Sequence, residues 1–141
     1  MRANYLIRFV DFVRWGRPMN EPTTIAVLNA PSLYRELLSI AEAKRSSNRE
    51  FRIIEIQATA DLKGVDLVFF GTGTQTRWNE LIDRAQLESI VTVSDQTGFM
   101  DAGGLIEFSI HKNRLRFSLN LESTETYGVD LSSKLIQLSA R

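Results

Sequence analysis

Cysteine is absent from this chain of 141 residues, and histidine occurs once, as His111. Without cysteine the protein can form neither a disulfide nor a thiolate metal site, and it has no thiol nucleophile. A single histidine leaves a catalytic zinc site short of its usual ligands. His111 would also be the one possible base of a Ser-His-Asp triad, and its place beside a hairpin turn shields it poorly from water. We therefore predict no catalytic residues, no metal and no cofactor.

An excess of charge is missing as well, since 17 Lys and Arg residues balance 17 Asp and Glu residues. This balance gives no electrostatic support for binding nucleic acid or an anionic membrane, so we predict no nucleic-acid partner. No apolar run approaches the ~18 residues of a membrane span. The first residues lack the basic start, apolar core and cleavage site of a signal peptide. The protein is thus expected to be either cytosolic, or exported with a sequence that begins at the mature chain.

Apolar residues recur along the whole chain with the spacings of alternating helices and strands. The length suits one domain over residues 1–141, which is enough to bury a core. Spacings of three and four predict helices, whereas short apolar runs and strict alternation predict strands. The predicted helices cover residues 3–14, 31–41, 76–86, 121–127 and 132–138, and the predicted strands cover residues 24–28, 51–56, 65–70, 90–93, 105–111 and 114–120.

The order of these elements predicts an α/β fold with three layers. Strands that alternate with helices favour a mostly parallel sheet with right-handed crossovers, flanked by helices. The last two strands differ, because apolar and polar residues alternate strictly along them and a two-residue turn, Lys112-Asn113, joins them. This turn would place three apolar pairs on one face of the sheet: Ile106–Leu119, Phe108–Phe117 and Ile110–Leu115. We therefore predict a C-terminal antiparallel hairpin that completes a mixed sheet.

Two loops at strand ends could carry function. The loop 71–74, Gly-Thr-Gly-Thr, precedes a helix, where free amide groups can bind phosphate. It lacks the P-loop and dinucleotide-binding motifs, so a plain tight turn is the favoured alternative. The stronger candidate is the loop 94–104. In an open parallel sheet, ligands bind beyond the C-terminal strand ends, near the point where strand order reverses, and Ser94 and Asp95 end such a strand.

The residues of the loop 94–104 also have structural interpretations. Ser94 and Asp95 can contact a ligand, or they can shape the turn by hydrogen bonding to backbone amides. Phe99 is either an anchor in the core or an exposed contact. Gly103 and Gly104 are expected to supply backbone conformations closed to other residues, which let the loop enter the hairpin. These five residues form the predicted ligand- or partner-binding site.

Several segments carry motifs that occur together in one known family. Residues 4–15 form an aromatic segment that ends in tryptophan, residues 24–28 follow as a strand, and residues 64–70 match a central strand. The most specific match is the pair of segments 92–99 and 103–108, and residues 116–120 and 131–135 agree too. In this order and spacing, residues 3–139 resemble the YfiR/HmsC family of exported bacterial regulators.

The resemblance implies a periplasmic α/β protein without catalytic activity. Members of this family restrain a membrane-bound diguanylate cyclase by binding its periplasmic domain, which lowers cyclic-di-GMP signalling and biofilm formation, and homodimers are common. Related domains are sensory parts of membrane histidine kinases, which leaves a small-molecule sensor as the alternative. Val65 stands where many relatives have cysteine, so no disulfide control is expected here. On this basis the sequence is expected to begin after its leader peptide.

Overall fold

The computed structural model describes residues 2–18, 21–45 and 50–139. The helices are α1 (Arg2–Phe12), α2 (Pro31–Lys44), α3 (Trp78–Leu87), α4 (Thr124–Tyr127) and α5 (Ser133–Leu138). The strands are β1 (Val13–Trp15), β2 (Thr23–Leu28), β3 (Phe51–Glu55), β4 (Leu67–Phe70), β5 (Val91–Ser94), β6 (Ile106–His111), β7 (Arg114–Leu119) and β8 (Val129–Leu131). Short 3₁₀ turns occupy Thr59–Leu62, Gln75–Arg77 and Leu121–Ser123.

A six-stranded sheet with the order β3-β2-β4-β5-β6-β7 forms the centre of the molecule. The first five strands in this order pair in parallel, and β7 pairs with β6 in the antiparallel sense. All residues of β4 and β5 are buried, as expected for strands covered on both faces. The predicted mixed α/β sheet is therefore confirmed.

The helices cover both faces of this sheet. Phe69 and Phe70 are consecutive in β4, so their side chains point to opposite faces. The Phe69 ring lies 6.5 Å from that of Phe108, which stacks on Phe9 of α1. The Phe70 ring instead meets Phe99, which contacts Trp78 of α3. The helices α1 and α3 thus lie on opposite sides of the sheet, as the three-layer prediction requires.

The C-terminal hairpin has the predicted register. Ile106 pairs with Leu119, Phe108 with Phe117, and Ile110 with Leu115. Lys112 and Asn113 have φ values of +52° and +62°, which are typical of a type I′ turn. Burial, however, falls steeply along the hairpin: Phe108 is 2% exposed, whereas Ile110 is 70% exposed. The tip of the hairpin therefore extends beyond the helices that cover its base.

The first helix is shorter than predicted, and a small second sheet replaces its last turn. The prediction extended this helix to residue 14, but α1 ends at Phe12 and β1 pairs with β8 in antiparallel fashion. The Gly16 amide also donates to the Gly128 carbonyl at 2.8 Å. Periodicity alone could not show this, because the pairing joins two segments more than 100 residues apart. The predicted 132–138 helix is confirmed, with the Ser132 side chain accepting a bond from the Leu135 amide.

A buried ion pair closes the end of the sheet where the parallel strands begin. The Asp66 carboxylate accepts bonds from the Arg17 guanidinium and the Thr24 amide, both at 2.9 Å. Arg17 also donates to the backbone carbonyls of Glu88 and Ser89, each at 3.1 Å. This one side chain therefore links the segment after β1 to the start of β4 and to the turn before β5.

Candidate functional site

The loop between β5 and β6 begins with a buried serine. The Ser94 hydroxyl donates to the Phe70 carbonyl at 2.7 Å and accepts a bond from the Gln96 amide at 3.1 Å. Both bonds are local to the strand end, and Ser94 is fully buried. The side chain therefore directs the chain out of the sheet and has no surface to offer a ligand.

Asp95, the residue after Ser94, is partly exposed. Its carboxylate forms an ion pair with the Arg2 guanidinium at 2.5 Å and accepts a bond from the Gln96 side chain at 2.8 Å. Arg2 also lies over the Phe69 ring, 5.4 Å from its centroid. The start of α1 is thereby attached to the C-terminal edge of the sheet.

Phe99 anchors the loop in the core. Its ring is fully buried and meets the rings of Phe70 and Trp78 edge to face, with centroids 5.4 and 5.3 Å apart. The two glycines that follow do different things. Gly103 has φ +107°, which a residue with a side chain rarely adopts. Gly104 was expected to do the same, but its φ is not positive. A Cβ at this position would lie 2.2 Å from the Phe99 ring, so the Phe99 side chain leaves room only for glycine.

A buried chain of hydrogen bonds locks the end of the loop. The Leu105 amide donates to the Thr92 hydroxyl at 3.0 Å, and that hydroxyl lies 2.6 Å from the Tyr127 hydroxyl. Tyr127 in turn donates to the Gly103 carbonyl at 2.9 Å. Burial raises the pKa of Tyr127 well above its ordinary value, so the phenol stays protonated and keeps donating. No local pattern in the sequence predicts this contact between α4 and the loop.

The strand order does not reverse where Ser94 and Asp95 lie. It reverses between β2 and β4, because the chain passes from β2 to β3 on one side and from β4 to β5 on the other. A cavity of about 470 Å³ opens there at the C-terminal strand ends. Its polar lining includes Asn29, Glu55, Gln57, Thr74 and Arg77. Ser94 and Asp95 therefore lie at the C-terminal edge of the sheet, but one strand beyond the reversal.

The loop 71–74 forms a tight turn beside this cavity. The Thr74 hydroxyl donates to the Gly71 carbonyl at 2.8 Å and accepts a bond from the Trp78 indole at 3.0 Å. A Cβ on Gly71 would lie 2.2 Å from the Asn29 carbonyl oxygen, so only glycine fits this approach of two strand exits. The two hydrogen bonds of the Thr74 hydroxyl thus stabilise the turn.

A second surface surrounds the outer edge of the sheet. Ile110 and Leu138 are 70% and 56% exposed, although both are large apolar residues. A cavity of about 360 Å³ beside β7 is lined by Leu138 together with Arg114, Leu115 and Arg116. We refer to Ile110, Arg114, Leu115, Arg116 and Leu138 as the β7 edge surface. Strict alternation predicts Ile110 and Leu115 on the buried face of the hairpin, so the sequence does not indicate this surface.

Comparison with known proteins identifies the family. The family model described as YfiR/HmsC-like matches residues 1–140. The chain belongs to the YfiR/HmsC-like family. The match confirms the resemblance seen in the sequence. The family is regulatory, non-catalytic and periplasmic, which fits regulators of diguanylate cyclases.

Other comparisons bear on the fold alone. A solved structure, a conserved domain protein from Vibrio cholerae, has a similar fold, with a TM-score of 0.64 and 10% sequence identity over 99% of this chain. The chain spans 58% of the length of that protein. No protein with a curated description matches. In residues 2–18, 21–45 and 50–139, no helix is long and apolar enough to cross a bilayer.

In this YfiR/HmsC-like protein the predicted site residues do come together in one loop, but few of them face solvent. Ser94, Phe99 and Gly104 are buried, whereas Asp95 and Gly103 are partly exposed. Gly103 lines a cavity of about 780 Å³ that continues past the end of β7. Gly103 therefore faces the same cavity as the end of β7, whereas Asp95 is not among the residues that line it.

Proposed function

We propose that this chain is a non-enzymatic periplasmic regulator that binds the periplasmic part of a membrane-bound diguanylate cyclase and represses it. Membership of the YfiR/HmsC-like family supports the regulatory class. We also propose that residues 1–141 act as one domain. We propose further that the protein is a homodimer, and its molar mass from light scattering can test this.

The observation that carries the proposal is the β7 edge surface. Exposed apolar residues next to arginine are typical of protein-binding surfaces, where apolar anchors and arginine carry much of the affinity. Ile110 and Leu138 supply the apolar part, and Arg114 and Arg116 supply the cations. The predicted contacts Asp95 and Gly103 remain candidates for the margin of this interface.

Calorimetric titration against the purified periplasmic part of a diguanylate cyclase encoded next to this protein's gene tests the proposal. We expect binding by the wild-type chain and at least a tenfold weaker affinity for Ile110→Asp. Leu87→Asp is the matched control, because Leu87 is 83% exposed at the far end of α3 and should leave affinity unchanged. Deletion of the gene should raise cellular cyclic-di-GMP. The proposal fails if the wild-type chain does not bind and deletion leaves cyclic-di-GMP unaltered.

A small-molecule sensor acting on a membrane histidine kinase is the second candidate. The cavity of about 470 Å³ at the ends of β2 and β3, beside the loop 71–74, favours it, since ligands bind near such reversal points and this volume suits a small molecule. Thermal unfolding with a panel of nucleotides and amino acids would detect it. A ligand present at about 100 times its Kd adds about 2.7 kcal/mol to the free energy of unfolding.

A further inference from the structure

The outer edge of β7 offers unpaired backbone groups. Within the described residues, β7 pairs with β6 alone. His111 and Arg114 close the two-residue turn and form a hydrogen-bonded pair, and such pairs alternate with non-bonded ones along an antiparallel ladder. Leu115, Phe117 and Leu119 fall at the non-bonded positions. Their N–H and C=O groups therefore point away from β6 and can pair with another strand.

The charged residues of β7 and of the turn before it have one sign, whereas Asp101 and Glu122 line the cavity beside its C-terminal end. Lys112, Arg114 and Arg116 are cationic, and no acidic residue occurs between Glu107 and Glu122. Arg114 and Arg116 lie on one face of the strand, are exposed, and form no ion pair with any described residue. A chain that is neutral as a whole thus carries a local excess of positive charge along an open strand edge.

The other face of the same edge is apolar. Leu115 alternates with the arginines and lies beside Ile110 and Leu138. Cavities of about 360 and 780 Å³ flank the two halves of β7, and Ser139 lines both. There is consequently room for an added strand whose side chains alternate between the basic face and the apolar face.

We propose that β7 binds an extended acidic segment of a partner protein, which joins the sheet as a further antiparallel strand. Its sequence would alternate Asp or Glu, facing Arg114 and Arg116, with Val, Ile or Leu, facing Leu115 and Leu138. Strand addition draws affinity from main-chain bonds and specificity from alternate side chains. A second copy of β7 fits poorly, because it would bring arginines rather than carboxylates to this face. Assigning the segment to the cyclase rests on the proposed function.

Fluorescence anisotropy with synthetic peptides tests the recognition chemistry without any natural partner. The probe is a labelled peptide that alternates glutamate with valine, and its control carries lysine in place of glutamate. We expect the acidic peptide to bind and the basic one not to bind. The double variant Arg114→Glu/Arg116→Glu should reverse this preference, whereas Arg84→Glu on α3 should not change it. Equal binding of the two peptides, or no binding of either, overturns the proposal.

Main-chain pairing is tested at Leu115. Leu115→Pro removes an outward N–H without breaking a bond to β6, and proline is tolerated on edge strands. Affinity for the acidic peptide should fall at least tenfold relative to Leu115→Ala, which keeps the N–H and matches the lost side-chain contact. Circular dichroism establishes that both variants are folded; should the proline variant unfold, Phe117 N-methylated by chemical ligation makes the same test. Equal affinities would exclude strand addition.

Titrating the periplasmic part of the cyclase separates this inference from the proposed function. If that domain binds the wild-type chain and Leu115→Pro equally well, strand addition by the cyclase is excluded while the proposed function stands. If it does not bind at all and the acidic peptide does, the edge binds acidic strands but the proposed partner is wrong.

Discussion

Two arginine–aspartate pairs lie at opposite ends of the sheet, and they differ most in the burial of the aspartate. Arg17 and Asp66 are 2.9 Å apart, and Asp66 is 0% exposed; Arg2 and Asp95 are 2.5 Å apart, and Asp95 is 27% exposed. Asp66 also accepts a bond from a buried backbone amide, whereas Asp95 is bonded to the side chain of Gln96. Burial and the number of dependent partners should therefore decide the contribution of each pair, rather than distance.

The largest effect is expected at the buried pair. Asp66→Ala leaves the buried Thr24 amide and the Arg17 guanidinium, whose side chain is 24% exposed, without their carboxylate. Breaking a buried pair from one side should lower the free energy of unfolding by about 4 kcal/mol, measured by urea denaturation. Arg52→Ala, which removes an exposed arginine from β3, is the control for general loss of charge. A loss below about 1 kcal/mol would show that the Arg17–Asp66 pair contributes no more than an exposed ion pair such as Arg2–Asp95.

The next largest loss of stability is expected at Phe99, whose buried ring anchors the loop 94–104. Phe99→Ala should lower the free energy of unfolding by about 3 kcal/mol, near the low end for a buried phenylalanine because the adjacent backbone can relax into the space. Gly104→Ala should also destabilise the protein, since its Cβ would lie 2.2 Å from the Phe99 ring.

The double variant sharpens this test. Removing the Phe99 ring makes room for the added methyl group, so Gly104→Ala should cost far less in the Phe99→Ala background. The free energies of unfolding of the four proteins give the coupling between the two residues. Strict additivity would contradict the view that Gly104 is required by the space its neighbour occupies.

A smaller effect is expected at the phenol that links α4 to the loop. Tyr127→Phe keeps the ring but leaves the Gly103 carbonyl without its donor and the Thr92 hydroxyl without its partner. The free energy of unfolding should fall by about 1–2 kcal/mol. Hydrogen exchange should speed up at the Leu105 amide, which depends on Thr92, while the amides of β2 keep their protection. Unchanged exchange at Leu105 would show that the chain of bonds does not hold the loop.

The fold was predictable where the signal is local. Strict alternation and a two-residue turn predicted the three apolar cross-strand pairs of the hairpin, because side-chain period and turn length together determine register. Pro31 at the first helical turn likewise predicted the start of α2. The pairing of β1 with β8 was not predictable in this way, since it depends on two short segments at opposite ends of the chain.

The candidate site was predictable in part for the same reason. The edge of the sheet follows from the parallel topology, and the loop 94–104 was correctly placed there. The point of strand reversal requires knowledge of strand order, which a single sequence does not contain. Burial of Ser94 and exposure of Ile110 depend on how far the helices extend over the sheet. Alternation therefore predicts correctly on which face of the sheet Ile110 lies, but it predicts wrongly that Ile110 is buried.

The smallest effect should come from the exposed pair. Asp95→Ala removes the partner of Arg2, but the guanidinium can hydrate and keeps its position over the Phe69 ring. We expect a loss of about 0.5 kcal/mol in the free energy of unfolding at low ionic strength, shrinking as salt screens the wild-type pair. Urea denaturation at low and high salt measures both quantities. A loss above about 2 kcal/mol that persists in salt would mean that Asp95 organises the loop, which Ser94, Phe99 and Tyr127 are expected to hold without it.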